Sequence, residues 1–286
     1  MHRLLERNPD NVVAVYDKYL SEHAAASDLE RLNRCDVVFV AVPTPYDGAR
    51  DACDLTAVRE IVERVNVPIC IKSTVPPGTV DALVAETGKT IAFSPEYVGE
   101  RPGHPWPDAD SAGFVICGGD AHACAAVREA YRGVSSPPLR FVETSAVAAE
   151  LVKYMENAFL ATKVTFANQF YDLARAANVD FAELRSLFLL DRRVGDSHTD
   201  VYAERGFGGR CLPKDLHVIA AWARERTDAG LLDAVLAYNE RLRARTASSQ
   251  AEGVQRVSVS ADRVAARTAA SENGSAVRSN RIQPPD

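Results

Sequence analysis

The chain has 286 residues, 47% hydrophobic and 25% charged, a composition that can bury one or two globular cores. Its formal charge of −6 excludes a general nucleic-acid binder. No apolar run reaches the roughly 18 residues of a membrane span, and Met-His-Arg-Leu-Leu-Glu-Arg at the start lacks the apolar core of a signal peptide, so a cytoplasmic protein is expected.

Residues Asn11 to Asp17 form a short apolar run ending in an acid, which suits a strand buried on both faces. In dinucleotide-binding sheets the acid that ends the second strand bonds the adenosine ribose hydroxyls, so Asp17 is a candidate cofactor ligand. A plain strand-end carboxylate is its other reading. Strand and helix signals then alternate: Asp36 to Val42 strand, Asp54 to Val65 helix with Asp54 as N-cap, Val67 to Lys72 strand, Thr79 to Glu86 helix, Thr90 to Phe93 strand. Phe114 to Cys117 and Leu139 to Val142 read as strands flanking a helix from Ala121 to Tyr131. This rhythm predicts an α/β fold with a parallel, doubly wound sheet.

Ligands of such sheets bind beyond the carboxyl ends of the strands. Three strand ends carry suggestive loops: Val42-Pro43-Thr44-Pro45, Lys72-Ser73-Thr74-Val75-Pro76-Pro77-Gly78-Thr79, and Phe93-Ser94-Pro95-Glu96-Tyr97-Val98-Gly99-Glu100-Arg101. Each could instead be a proline turn or a solvated acidic loop.

From Ser145 to about Ala177 the chain runs without proline or glycine, with Thr144 as N-cap, and predicts a helix long enough to link two domains. Lys153 and Asn157 lie four apart on one face of it. Asp180-Phe181-Ala182-Glu183 reads as a capping box. Next come Gly206-Phe207-Gly208-Gly209-Arg210-Cys211-Leu212-Pro213-Lys214-Asp215, three glycines ahead of a cysteine, a lysine and a carboxylate, with helix expected from Asp215 to Arg224. Glycines let a backbone approach a ligand closely, and nearby positive charge turns a thiol into a nucleophile. A glycine turn before a buried, inert cysteine is the alternative. The six cysteines show no CxxC pair and no metal-ligand spacing; most read as buried thiols, and no metal is expected. Residues 241–286 hold eight arginines, four acids and no aromatic residue, which predicts a disordered, solvated tail.

Together these segments resemble the UDP-glucose/GDP-mannose dehydrogenase family, from about Val12 to Asn239, and the cysteine stretch is the most specific match. The resemblance implies a Rossmann-like domain over 1–143, an all-helical central domain over 144–240 that forms the core of a homodimer, and NAD as cofactor. It places Asp17, Val42, Pro43, Thr44, Pro45, Ser73 and Thr74 against NAD, and Glu100, Phe207, Gly208 and Gly209 against a nucleotide-sugar substrate. It makes Cys211 the nucleophile, Lys153 the stabiliser of oxyanions, and Asn157, Asp215 and Glu96 the groups that orient water, with Thr74 beside the reacting carbon. Lys163 on the same helix is expected in structural pairing.

The family starts one strand earlier, with a glycine-rich turn against the cofactor pyrophosphate. No GxGxxG precedes Val12. The sheet is therefore expected to lack its first, central strand and to leave strand edges unpaired, unless other strands or a partner close the gap or the true start lies upstream. The family's third, nucleotide-holding domain has no counterpart in the last residues. A dimerising remnant without turnover is the rival expectation.

Overall fold

The computed structural model describes residues 1–98 and 111–248. A short helix, α1 (His2–Leu5), leads into residues 11–17, which are not a strand. The strand expected from Asn11 to Asp17 does not form, since no ladder partner stands beside it among the described residues. The segment ends in a tight turn instead, with the Asp17 N–H donating to the His23 carbonyl at 3.0 Å, while Ala14 and Tyr16 pack on the sheet. Helix α2 (Ala26–Leu32) then leads to strand β1 (Val38–Val40).

A small hairpin follows, β2 (Tyr46–Asp47) and β3 (Ala52–Cys53), which the residue pattern did not announce. Helix α3 (Thr56–Arg64) starts where Asp54 accepts the Thr56 N–H at 2.9 Å. Strand β4 (Ile69–Ile71), helix α4 (Thr79–Thr87) and strand β5 (Ile91–Phe93) come next. Every residue of β4 and β5 is buried, because both faces of the sheet are covered; that is why Ile-Cys-Ile and Ile-Ala-Phe carry no polar alternation. Strand β6 (Phe114–Gly119), helix α5 (Ala121–Ala130) and strand β7 (Arg140–Thr144) complete the sheet, in the order β1-β4-β5-β6-β7.

The sheet is mostly parallel, with one exception to the predicted doubly wound pattern. Strand β6 runs antiparallel to β5, with Ala92 opposite Gly119 and Phe93 opposite Gly118. Parallel neighbours need a crossover, and the described part of the β5–β6 link contains no helix. Gly118 also admits the next helix: a Cβ there would lie 2.3 Å from the Ser145 carbonyl oxygen.

Helix α6 (Ala146–Ala176) is the long helix expected, capped by Ser145 rather than Thr144, whose neighbour's hydroxyl accepts the Ala148 N–H. Small and polar residues face inward along it, with Ala149, Glu150, Tyr154, Asn157, Ala161 and Asn168 buried. Helix α7 (Phe181–Phe188) starts where expected, with Asp180 as N-cap accepting the Ala182 N–H at 3.2 Å. Helix α8 (Cys211–Arg224) begins four residues before the predicted start, and a further helix, α9 (230–248), runs past the expected boundary at 240, with Leu242 buried. The disordered tail expected over 241–286 is helical at 241–248, and residues 249–286 lie outside the described residues.

Candidate active site

Strand ends from the sheet and the helices α6, α8 and α9 converge on one region. The glycine turn before α8 is left-handed at Gly206 and Gly209, with φ of 65° and 78°. A Cβ on Gly206 would stand 2.3 Å from Asn239 Oδ1. Asn239, on α9, accepts the Phe207 N–H at 2.8 Å and donates to the Phe207 carbonyl at 3.0 Å. The Phe207 ring is buried among Ala161, Leu216, Ala220 and Val235. Gly209 is the exposed residue of the turn, while Gly208 is covered by the Arg243 guanidinium, which lies 2.8 Å from where its Cβ would be.

Cys211 is the first residue of α8 and is exposed. Its place in the first turn sets the sulfur at the positive end of the helix dipole, where an anion is favoured. Pro213 fits there because first-turn amides have no intrahelical partner to lose. Asp215 follows one turn later and is 2% exposed. Asn157 of α6 donates to Asp215 Oδ2 at 2.5 Å, and Lys214 Nζ stands 2.5 Å from Asp215 Oδ1. The ammonium approaches off the hydrogen-bonding directions, so Lys214 and Asp215 Oδ1 form a charge pair without a hydrogen bond.

Two further groups border this junction. Burial pushes the Tyr154 phenol well above its ordinary value, and the charges of Asp215, Cys53 and Glu150 add to that. Its buried hydroxyl has no hydrogen-bond partner among the described residues. Burial likewise pushes the Cys53 thiol to about 11; Lys214 opposes the shift and Asp215 adds to it. Cys53 points its sulfur at the Thr44 carbonyl, 3.6 Å away, and so joins the junction to the first strand-end loop.

The first two loops are stitched together. The Val42 N–H donates to Ser73 Oγ at 2.8 Å, Ser73 Oγ donates to the Val42 carbonyl at 2.7 Å, and Thr44 Oγ1 donates to the Thr74 carbonyl at 2.9 Å. Pro43 and Pro45 stay exposed and Thr74 half-buried at this edge. In the third loop, the buried Lys72 ammonium donates to the Pro95 carbonyl at 3.1 Å and to Ser94 Oγ at 3.3 Å, with Glu96 Oε2 at 3.7 Å. Lys153 reaches the same loop, its Nζ 4.8 Å from the centre of the Tyr97 ring. Lys163 takes the structural role, donating to the Gly195 carbonyl at 3.2 Å.

The fold thus unites Asn157 with Asp215, Lys153 with the Glu96–Tyr97 loop, and Thr44 with Thr74. Asp17 stands apart: its carboxylate accepts the Tyr19 N–H at 2.8 Å, and no hydrogen bond or ion pair ties it to the other candidates among the described residues. Glu100 lies outside the described residues. Lys72, Cys53, Tyr154 and Asn239 were not singled out from the pattern. Tyr154 could have been, since it precedes Asn157 by three residues on the same helical face.

Residues 147–241 match the central domain, and residues 3–135 the NAD binding domain, of the UDP-glucose/GDP-mannose dehydrogenases. The chain belongs to that family. It is similar to the UDP-glucose 6-dehydrogenase of Rickettsia conorii, 30% identical over 247 residues that make up 79% of this chain and 56% of that one. The enzyme of the same name from Rhizobium meliloti is 31% identical over 220 residues, 72% of this chain and 50% of the relative. Among solved structures, a UDP-glucose dehydrogenase from Pyrobaculum islandicum superposes with a TM-score of 0.67 at 29% identity, covering 84% of this chain and 60% of that one. The chain spans about half the length of the curated relatives it matches.

The residues fit NAD at two points. Pro43, Pro45 and Thr74 offer a shelf at adjacent strand ends, with the polar groups beneath it already bonded within the loops. Asp17 offers a half-exposed carboxylate for ribose hydroxyls. The glycine-rich turn of the pyrophosphate-binding kind belongs ahead of Asp17, and residues 1–16 hold no glycine.

Proposed function

We propose that the chain carries the cofactor-binding and thiol-bearing parts of an NAD-dependent nucleotide-sugar 6-dehydrogenase of the UDP-glucose type. The observation that carries this reading is the exposed Cys211 at the start of α8, one turn from an Asp215 that α6 engages through Asn157. Bound NAD supplies a two-electron acceptor for each of two oxidations. Between them the Cys211 thiolate adds to the aldehyde carbon; a C–S bond forms and the carbonyl pair moves to oxygen, where Lys153 offsets the charge. Loss of the C–H pair as hydride leaves a thioester on Cys211. Water then attacks, Glu96 or Asp215 takes its first proton, the C–S bond breaks to release the thiolate, and the acid formed loses its remaining proton to solvent to leave a carboxylate. Holding the aldehyde covalently prevents its loss between the two steps.

Partner and location follow the same reading. Met155, Phe159, Phe166, Phe170 and Leu173 line one outer face of α6, from 40% to 72% exposed, and Leu187 of α7 is 59% exposed. An apolar stripe of this size on two adjoining helices fits a second copy of the chain. All six cysteines are free, which suits the reducing cytoplasm, and among the described residues no helix is long and apolar enough to cross a membrane.

The unpaired segment 11–17 favours a second reading, a dimerising remnant that holds NAD too weakly to turn over. The deciding experiment follows NADH absorbance with UDP-glucose for the wild type and Cys211→Ser. Formation of two NADH per sugar, abolished in the variant, supports the dehydrogenase. Equal rates in both would refute the role of Cys211, and millimolar or no NAD binding by calorimetry would favour the remnant.

A further inference from the structure

We propose that Glu150 and Trp222 clamp the Thr74 strand-end loop onto the two helices that carry the reactive groups, and so act as positioning residues for the oxidation. The loop ends at Gly78, whose φ of 93° makes it the N-cap of α4. A glycine has no side chain with which to cap, so the first amides of α4 need an acceptor from elsewhere. Glu150 of α6 supplies it: Oε2 accepts the Gly78 N–H at 2.6 Å and Oε1 accepts the Val80 N–H at 2.9 Å. Its side chain is fully buried, and no ion pair neutralises it among the described residues. The titratable groups that face it are Asp81 on α4 and Tyr154 on α6, neither of them a cation. Burying a lone carboxylate is costly, and an apolar residue would fill the same space without that cost. What the carboxylate provides is a two-point attachment of fixed geometry at the positive end of α4.

The second attachment comes from the other helix. Trp222 of α8 donates its indole N–H to the Pro77 carbonyl at 3.1 Å. The loop is therefore tied to α6 and α8 through Pro77, Gly78 and Val80. Glu150 precedes Lys153 by three residues and Asn157 by seven, all on one helical face, and Cys211 and Asp215 lie on the helix that carries Trp222. Helices are stiff, so a slip of the loop against either one becomes a slip of Thr74 against Lys153 and Cys211. A displacement of about 1 Å can cost roughly a hundredfold in rate.

The positioning role rests on the dehydrogenase reading above, and the test separates the two. Glu150→Gln keeps the volume but turns an NH2 group towards one of the two amide donors; Trp222→Phe removes only the indole N–H. Amide exchange at Gly78 and Val80, followed by NMR, should accelerate in Glu150→Gln. NADH formation with UDP-glucose should show kcat lowered roughly ten- to a hundredfold, with KM for the sugar nucleotide within about twofold. A folded Glu150→Gln protein with wild-type kcat, or one whose KM alone rises, overturns the proposal. If that variant fails to fold, Trp222→Phe carries the same kcat criterion. A wild-type chain that forms no NADH, yet shows accelerated exchange in the variant, overturns the dehydrogenase reading and with it the positioning role, leaving only the clamp itself supported.

Discussion

Asn157→Leu probes the junction on which the proposed chemistry depends. The substitution roughly conserves volume and deletes the amide that donates to Asp215 Oδ2 at 2.5 Å. At 2% exposure Asp215 cannot turn that oxygen to water, so the loss includes the desolvation of an unpaired anionic acceptor. A hydrogen bond to a buried charged group contributes about 1.5–3 kcal/mol, and the Lys214 charge that remains keeps the loss near the top of that range rather than beyond it. For a chain of this size about 3 kcal/mol lowers the melting temperature by roughly 6–12 °C. Thermal melts followed by circular dichroism would measure it, and a double-mutant cycle with Asp215→Leu would isolate the pair. A coupling of about 2 kcal/mol is expected, since contacting residues are not additive. If the two substitutions add to within about 0.5 kcal/mol, the amide and the carboxylate do not interact as described, and the link between α6 and the cysteine helix is wrong.

Stability should also report on Glu150. Burial raises its carboxyl to about 7 from an ordinary 4.5, against the two amide donors. A group raised in the folded state contributes its stability in full below the unfolded value and loses it as pH climbs through the folded one. Wild type should therefore weaken between pH about 4.5 and 7, a slope that Glu150→Gln lacks; parallel urea midpoints for the two proteins from pH 5 to pH 8 would contradict it. Charging the outer face of α6 with Phe159→Glu and Phe166→Glu should convert a dimer into a monomer in sedimentation, and a wild type that is already monomeric would remove the stripe's proposed partner. Gly118→Ala forces a Cβ to within 2.3 Å of the Ser145 oxygen and 2.8 Å of Ala149, so α6 must shift at a cost of about 1–3 kcal/mol. An unchanged melting curve would show that this contact is looser than drawn.

Much of the fold was legible because its cause is local. The apolar runs from Val67 to Lys72 and Thr90 to Phe93 read as strands, and the structure keeps them at 69–71 and 91–93, covered on both faces and so without polar alternation. The long helix was legible from the lack of proline and glycine between Ser145 and Ala177, and the start of α7 from a capping pattern four residues long. Misses came where the deciding contact is distant. The run from Val12 to Val15 has strand chemistry, but a strand exists only beside another, and none stands there among the described residues. The antiparallel direction of β6 against β5 is a pairing between distant residues, which alternating apolar runs do not reveal. Arg243, counted in the expected tail, lies instead on α9, its guanidinium nitrogen 2.8 Å from where a Gly208 Cβ would be.

The candidate site divides in the same way. The amino-acid sequence alone determined the reactive inventory: a thiol after a glycine turn, an ammonium and an amide four apart on one helix, and acids at strand ends, because residue type and short spacing are written in the chain itself. Only the tertiary structure decided the partnerships, joining Asn157 to Asp215 across 58 positions, Asn239 to Phe207 across 32, and Glu150 to the amides of Gly78 and Val80 across 72 and 70. Each of these bonds satisfies a buried or part-buried polar group that its sequence neighbours leave without a hydrogen bond, and which distant residue meets that need is settled only when helices and strands pack.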